Sequence, residues 1–154
     1  MTEYVAGFLF DDDMESVLLV RKKRPEWQAG RLNAIGGHIE NGESPLYAMR
    51  REFCEETELV VHDWWPICGL SGEDSCGNEW KVHFFYAIAP LHVLGQAKSV
   101  DEPIGIFATK HTSDRLPNLE WLIPMARSLR SGVDRAHHFK IVEKYGAAAS
   151  IRHI

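Results

Sequence analysis

Paired cysteines, long apolar runs and an excess of positive charge are all missing from this chain of 154 residues. The three cysteines, Cys54, Cys68 and Cys76, are odd in number and lack the close spacing of a zinc site or redox pair. They read as small hydrophobes in a reducing, cytoplasmic setting. No apolar run approaches the ~20 residues of a membrane span, and the opening MTEYVAGFLF is acidic, with too short an apolar part for a signal peptide. A formal net charge of -5 provides no overall positive field for a nucleic-acid polymer or an anionic membrane. Any polyanion must therefore be held locally. What remains, 45% hydrophobic and 25% charged residues, fits one globular domain over residues 1–154 with its own core.

Strand and helix patterns alternate along the chain without a repeat or a long linker. Tyr4 to Phe10 and Ser16 to Arg21 are rich in β-formers and flank the polar DDDME, which predicts an antiparallel hairpin. Trp64 to Leu70 and Lys81 to Ala89 predict a second hairpin around SGEDSCGN, and Ile104 to Phe107 a further short strand. One helix begins at SPLYAMRREF, with Ser44 as N-cap and Pro45 in the first turn. Another covers about Glu120 to Leu129 and stops at Gly132, with Trp121, Leu122 and Met125 as its core face. The mixture predicts an α+β sandwich, a mixed sheet with helices on its faces. Residues 146–154 carry no clear pattern and read as a frayed tail.

In the first helix Leu46, Met49 and Phe53 recur at spacings of three and four and form one apolar stripe. Glu52, Glu55 and Glu56 fall on a neighbouring sector, where like charges at these spacings repel by a few tenths of a kcal/mol per pair. Convergent carboxylates beside a core suit a hard cation such as Mg²⁺, which is commonly held by one or two carboxylates plus substrate phosphates. The pattern alone also fits a solvated face of glutamates. Arg51 can reach Glu55 at i+4. Ahead of the helix, Gly36 and Gly37 let backbone approach a ligand where a Cβ would obstruct it.

The spacing runs Gly37, five residues, Glu43, seven residues, Arg51, Glu52, Phe53, any residue, Glu55, Glu56, and then Leu59 three positions on. This resembles the signature of the Nudix hydrolase family, with one departure: Glu58 stands where the family has its final glycine, in the turn leaving the helix. The resemblance implies an α/β/α sandwich with a mixed sheet, and water cleaving the pyrophosphate of a nucleoside diphosphate derivative with Mg²⁺ or Mn²⁺. It also implies metal ligation by Glu52, Glu55 and Glu56, with the general base among them undivided, and a carbonyl ligand from Gly36. Glu102, in SVDEPIGIF, resembles the additional distal acid of some members; the alternative is a loop carboxylate in water.

Residues outside the signature bear on the substrate. RKKRPEWQAGRLNAIGG resembles the region before the signature in MutT-like triphosphatases, where Asn33 matches a base-reading asparagine and Trp27 an aromatic near the base. An amide offers donor and acceptor to a purine edge, and an indole can stack on it. Covering the sheet is the alternative for Trp27, and capping a strand end the alternative for Asn33. The basic run Arg21 to Arg24, with Arg21 and Lys23 on one side of an extended strand, can steer a triphosphate held at Gly37, or be a solvated strand end. Near the C-terminus RLPNLEWLIPMA matches a segment closing over the base, with Asn118 as a polar contact and Leu116 where a relative has tryptophan. His83, His92, His111, His137 and His138 show no ligand spacing. The expected activity is hydrolysis of a nucleoside triphosphate, an oxidised purine nucleotide among the candidates, to monophosphate and pyrophosphate. ADP-ribose, dinucleoside polyphosphates and nucleotide sugars form the second class, a sensor without turnover the third, and a homodimer is compatible with each.

Overall fold

The N-terminal run of β-formers becomes β1 (Thr2–Phe10), and its side chains divide alternately between two cores. Val5 and Leu9 face one core, while Ala6, Phe8 and Phe10 face the other. The computed structural model describes residues 1–111, 113–132, 139–144 and 150–153. Within them β1 is central to one mixed sheet. Its parallel neighbour is β6 (Glu79–Ile88), in register from Thr2 opposite Trp80 to Phe10 opposite Ile88.

The other edge of β1 is shared. Leu9 and Phe10 pair antiparallel with β2 (Ser16–Arg21), whereas Tyr4 to Gly7 pair with β4 (Ile35–His38). Beyond β2 lie β3 (Leu32–Asn33) and β7 (Ile104–Ala108), and beyond β6 lie β5 (Trp65–Glu73), β8 (Phe139–Lys144) and β9 (Ser150–His153). Both hairpins and the strand at Ile104 form as the residue pattern predicts. The two-residue β3 and four-residue β4 are too short to carry a periodic signal, and tertiary pairing alone makes them strands.

α1 (Pro45–Thr57) follows β4 and covers the face occupied by Val5 and Leu9. Ser44 caps it by accepting the Tyr47 N–H at 3.2 Å, with Pro45 in the first turn. Met49 and Phe53 are fully buried, and burial of side chains this size stabilises by about 1.5–3 kcal/mol each. Leu46 is only partly buried; Ala48 joins the stripe. A short helix α2 (Leu91–Leu94), not foreseen from the sequence, adds Leu94 to this core. The opposite face is covered by α3 (Leu119–Ser131), through Leu119, Leu122, Ile123 and Ala126, with Trp121 and Met125 at the margin. Gly132 ends α3 at φ 81, the left-handed stop expected of it. The result is the expected α+β sandwich.

One expectation changes. Ser150–His153, read as tail, pairs antiparallel with β8 and continues the sheet, because the free edge of β8 offers unpaired backbone groups that a short segment can satisfy without side-chain periodicity. The rest of that segment lies outside the described residues.

Candidate active site

Arg51 organises the region by binding the loop before α1 to the helix itself. Its Nε and Nη2 donate to the two oxygens of Glu43 at 2.6 and 2.8 Å, a bidentate pair. Nη2 also donates to the His38 carbonyl at 2.9 Å. Nη1 donates to Glu52 at 2.8 Å and to Glu55 at 3.2 Å. The sequence pointed to Glu55 as a partner; Glu43, His38 and Glu52 are added by folding. The guanidinium holds the Glu43 carboxyl down to about 2, and the surrounding carboxylates raise Arg51 in turn, Glu43 foremost.

β4 supplies the floor. An added Cβ at Gly36 would sit 1.9 Å from the Val5 carbonyl oxygen across the β1 pairing, and one at Gly37 would sit 2.3 Å from Glu52 Oε2. Only glycine at 37 lets the Glu52 carboxylate lie against the strand backbone. Glu55 points into water, as its exposure shows, while Glu56 is half-buried.

Burial pushes the Glu56 carboxyl up, and so do the nearby charges of Glu102, Asp101 and Glu52. Glu102 is therefore part of this acidic wall, although it is 46 positions from Glu56 in the chain. It is buried at 6% exposure, not a loop carboxylate in water. Burial alone would raise its carboxyl; the Lys22 ammonium at 2.7 Å and the backbone N–H groups of Lys23 and Arg24 outweigh this and lower it. Lys22 is thus a member of the site that sequence reading missed.

Lys23 sits differently from the expectation. β2 ends at Arg21, so Lys22 to Arg24 leave the strand and close on residues 101 and 102 instead of continuing its alternation. Lys23 Nζ donates to the Asp101 carbonyl at 2.8 Å, and Arg24 pairs with the Asp101 carboxylate. Arg21 turns to the Gly30 carbonyl at 2.8 Å.

The segment leading into α3 is tied to β3. Leu32 donates to the Asp114 carbonyl at 2.6 Å and accepts from the Leu116 N–H at 3.0 Å, which ties the start of α3 to the strand carrying Asn33. Asn33 Oδ1 accepts the Ala34 N–H at 2.8 Å, the local capping contact, while its Nδ2 donates to Gln28 at 3.3 Å. Asn118 Oδ1 is buried and, among the described residues, has no hydrogen-bond partner. Trp27, in a single 3-10 turn, is 68% exposed. Leu116 is buried in the α3 core and presents no stacking surface. His83 is satisfied by Glu3 at 2.6 Å, and His137 and His138 lie outside the described residues.

The NUDIX domain family model matches residues 2–122. The chain belongs to the Nudix family. Its fold is similar to that of the mutator MutT protein from Bacillus halodurans, at 20% identity and a TM-score of 0.69 over 99% of this chain and 97% of that one. A MutT Nudix hydrolase from Burkholderia pseudomallei superposes with a TM-score of 0.67 at 21% identity, over 80% of this chain and 96% of its own. The Nudix domain of Shewanella oneidensis NrtR, solved with ADP ribose, gives 0.63 at 18% identity over 83% and 87%.

Nudix hydrolases act on pyrophosphate bonds and generally use divalent cations. The donor set fits a hard cation: oxygen ligands only, with mutual repulsion that a cation would relieve at Glu56. Among the described residues no group of three His, Cys, Asp or Glu is already drawn together as a metal cage. Arg51 instead occupies an oxygen each of Glu52 and Glu55. The Nudix departure at Glu58 is accommodated by backbone, since this residue caps α1 at φ 58, ψ 16, the left-handed region where the family has glycine. Thr57 Oγ1 donates to the Phe53 carbonyl and accepts the Leu59 N–H, and Glu58 pairs with Lys98 at 3.0 Å, which fix the turn.

Proposed function

We propose that this Nudix protein is a cytosolic Mg²⁺-dependent pyrophosphohydrolase that converts a nucleoside triphosphate to the monophosphate and pyrophosphate, with purine nucleotides, oxidised ones included, as candidate substrates. The observation that carries the reading is the charge arrangement at α1: Arg51 fixes Glu43, Glu52 and Glu55 together, while Glu56 forms no ion pair among the described residues and feels the charges of Glu102, Asp101 and Glu52 more than that of Lys22.

Glu52, Glu55 and Glu56, with the Gly36 carbonyl and Glu102, are the groups to hold the cation. When bound, Mg²⁺ or Mn²⁺ neutralises phosphate oxygens and lowers the pKa of water. Glu56 has the raised proton affinity that suits a general base, because burial and neighbouring charge bring it nearer to neutral pH. Arg51, fully committed to carboxylates and a carbonyl, orients them and stays off the phosphates. Lys23 stands beside Asp101 at the rim, where its charge attracts the polyphosphate.

Base recognition follows from Asn118, Asn33 and Trp27. The exposed Trp27 ring offers a stacking face, and the buried Asn118 Oδ1, which has no hydrogen-bond partner among the described residues, becomes an acceptor for a base N–H once the side chains covering it part. Free cysteines and the absence of any described helix long and apolar enough to cross a membrane are compatible with a cytosolic setting.

A second reading, cleavage of ADP-ribose or another diphosphate-linked nucleotide, draws on the NrtR domain solved with ADP ribose. Product analysis separates the two. With Mg²⁺ and a panel of ordinary and oxidised nucleoside triphosphates and ADP-ribose, the triphosphatase yields monophosphate and pyrophosphate, and kcat/KM ranks the bases. Turnover of ADP-ribose alone would replace the first reading by the second, and nucleotide binding without any turnover would make the protein a sensor.

A further inference from the structure

On the α3 side of the sheet, away from α1, a cleft of about 440 Å³ is lined by Thr109, Lys110, Arg115, Glu120, Ile123 and Arg127, with Pro124 beside them. We propose that this cleft binds a phosphoryl dianion through Arg115, with Lys110 and Arg127 at its rim. The site is independent of the pyrophosphohydrolase reading, because none of the α1 glutamates lines it.

Arg115 carries the argument. Its side chain is only 4% exposed, yet its hydrogen bonding is incomplete. Nη1 donates to the Thr109 carbonyl at 3.1 Å and Nη2 to Glu120 at 2.9 Å, while the buried Nε has no partner among the described residues. A guanidinium offers Nε and Nη2 as a two-pronged edge for an anion with two oxygens, and here Glu120 takes one prong only. A buried cationic N–H left unpaired is unfavourable, so the edge is short of one acceptor oxygen.

The charge count selects the ligand. Lys110 and Arg127 line the same cleft, are exposed, and have no ion-pair partner among the described residues. Three cations against the single carboxylate of Glu120 leave a local excess of two positive charges, which matches a phosphate dianion better than a carboxylate monoanion. Ile123 and Pro124 supply the apolar part of the lining. Glu120 is half-exposed on a free side chain, so an incoming phosphoryl group can displace it into solvent and take both prongs. The Arg115 backbone bridges to Leu32, next to Asn33, so occupancy would stiffen the strand that carries Asn33.

The test is calorimetric titration of the full chain with inorganic phosphate in EDTA, at an ionic strength held constant with chloride. Without a divalent cation the α1 glutamates repel phosphate, so saturable heat reports the α3 cleft. The expected result is one saturable site that weakens on the order of tenfold or more in the Lys110→Gln, Arg127→Gln double variant, as loss of charge-assisted bonds requires. Glu120→Gln is expected to tighten binding, since it removes the competing carboxylate. Repeating the titration with methyl phosphate, which carries no base for the nucleotide site, distinguishes the source: equal binding assigns a phosphomonoester, and phosphate alone assigns the free ion. Absence of saturable binding over chloride, a double variant that binds like the parent, or weaker binding in Glu120→Gln would overturn the proposal. Both rim residues are exposed, and an unchanged Tm in the double variant confirms that the fold is intact.

Discussion

Gly37 and Glu52 occupy adjoining space so closely that a Cβ on the first would lie 2.3 Å from the carboxylate of the second. Gly37→Ala must therefore push the Glu52 carboxylate off the β4 backbone and strain its bond to Arg51 Nη1. A displacement near 1 Å at a reacting centre costs on the order of 10²-fold, so kcat/KM for the turned-over nucleotide is expected to fall by about that factor. The fold should survive, because the clash is with the end of a side chain. Parallel kinetics and thermal melts check it: a variant with full activity would mean that the Glu52 position is immaterial to turnover.

The Glu43–Arg51 pair makes a prediction about acid. The Glu43 carboxyl is held down to about 2 by the Arg51 guanidinium, against an ordinary value of 4.5. A carboxyl whose pKa is lower folded than unfolded contributes stability above its unfolded value and loses it as pH falls through the folded one. Urea midpoints of the parent should therefore decline between about pH 4.5 and pH 2. Glu43→Gln should be less stable at pH 7 and show a flatter decline through that window. Parallel curves for the two proteins would mean that the pair contributes nothing to the pH dependence.

Much of this site was legible because its signals are local. Ser44 and Pro45 announce the helix start at adjacent positions, and Glu52, Glu55 and Glu56 share a sector by helical spacing alone. What stayed hidden depends on contacts between distant parts of the chain. Lys22 meets Glu102 across 80 positions, a pairing that no periodicity encodes, and where β2 ends decides that the Lys22 ammonium takes that carboxylate while Lys23 reaches it only through its backbone N–H. β3 and β4 are strands only because β1 and β2 provide edges for them. The sequence around Asn33 fits a base reader and a strand cap alike, and only the folded chain shows its Oδ1 accepting the Ala34 N–H.

The turn at Glu58 gives a gain-of-stability prediction. An L-residue in the left-handed region costs roughly 1–2 kcal/mol, offset in part by the greater freedom of glycine in the unfolded chain. The pair with Lys98 joins two exposed side chains and contributes about 0–1 kcal/mol at most. Glu58→Gly should therefore stabilise by about 0.5–1 kcal/mol, with Lys98→Ala near neutral. Chemical denaturation of both variants decides it, and a Glu58→Gly protein less stable than the parent would show that the ion pair or the turn sequence outweighs backbone strain.

Glu56 separates stability from function. Its carboxyl is raised by burial and by Glu102, Asp101 and Glu52, so the folded protein holds this proton more tightly than the unfolded chain does. For such a group the contribution to stability is present below the unfolded pKa and is lost as pH rises through the folded value, leaving an unfavourable charge at neutral pH. Glu56→Gln removes that charge. In EDTA at pH 7 its Tm should equal or exceed that of the parent, while kcat drops on the order of 10³-fold, within the range for loss of a general base. Adding Mg²⁺ should raise the parent's Tm and move the variant's much less, because a ligand that binds only the folded state stabilises in proportion to its affinity. Equal Mg²⁺ shifts in the two proteins, together with retained turnover, would remove Glu56 from both the cation site and the chemistry.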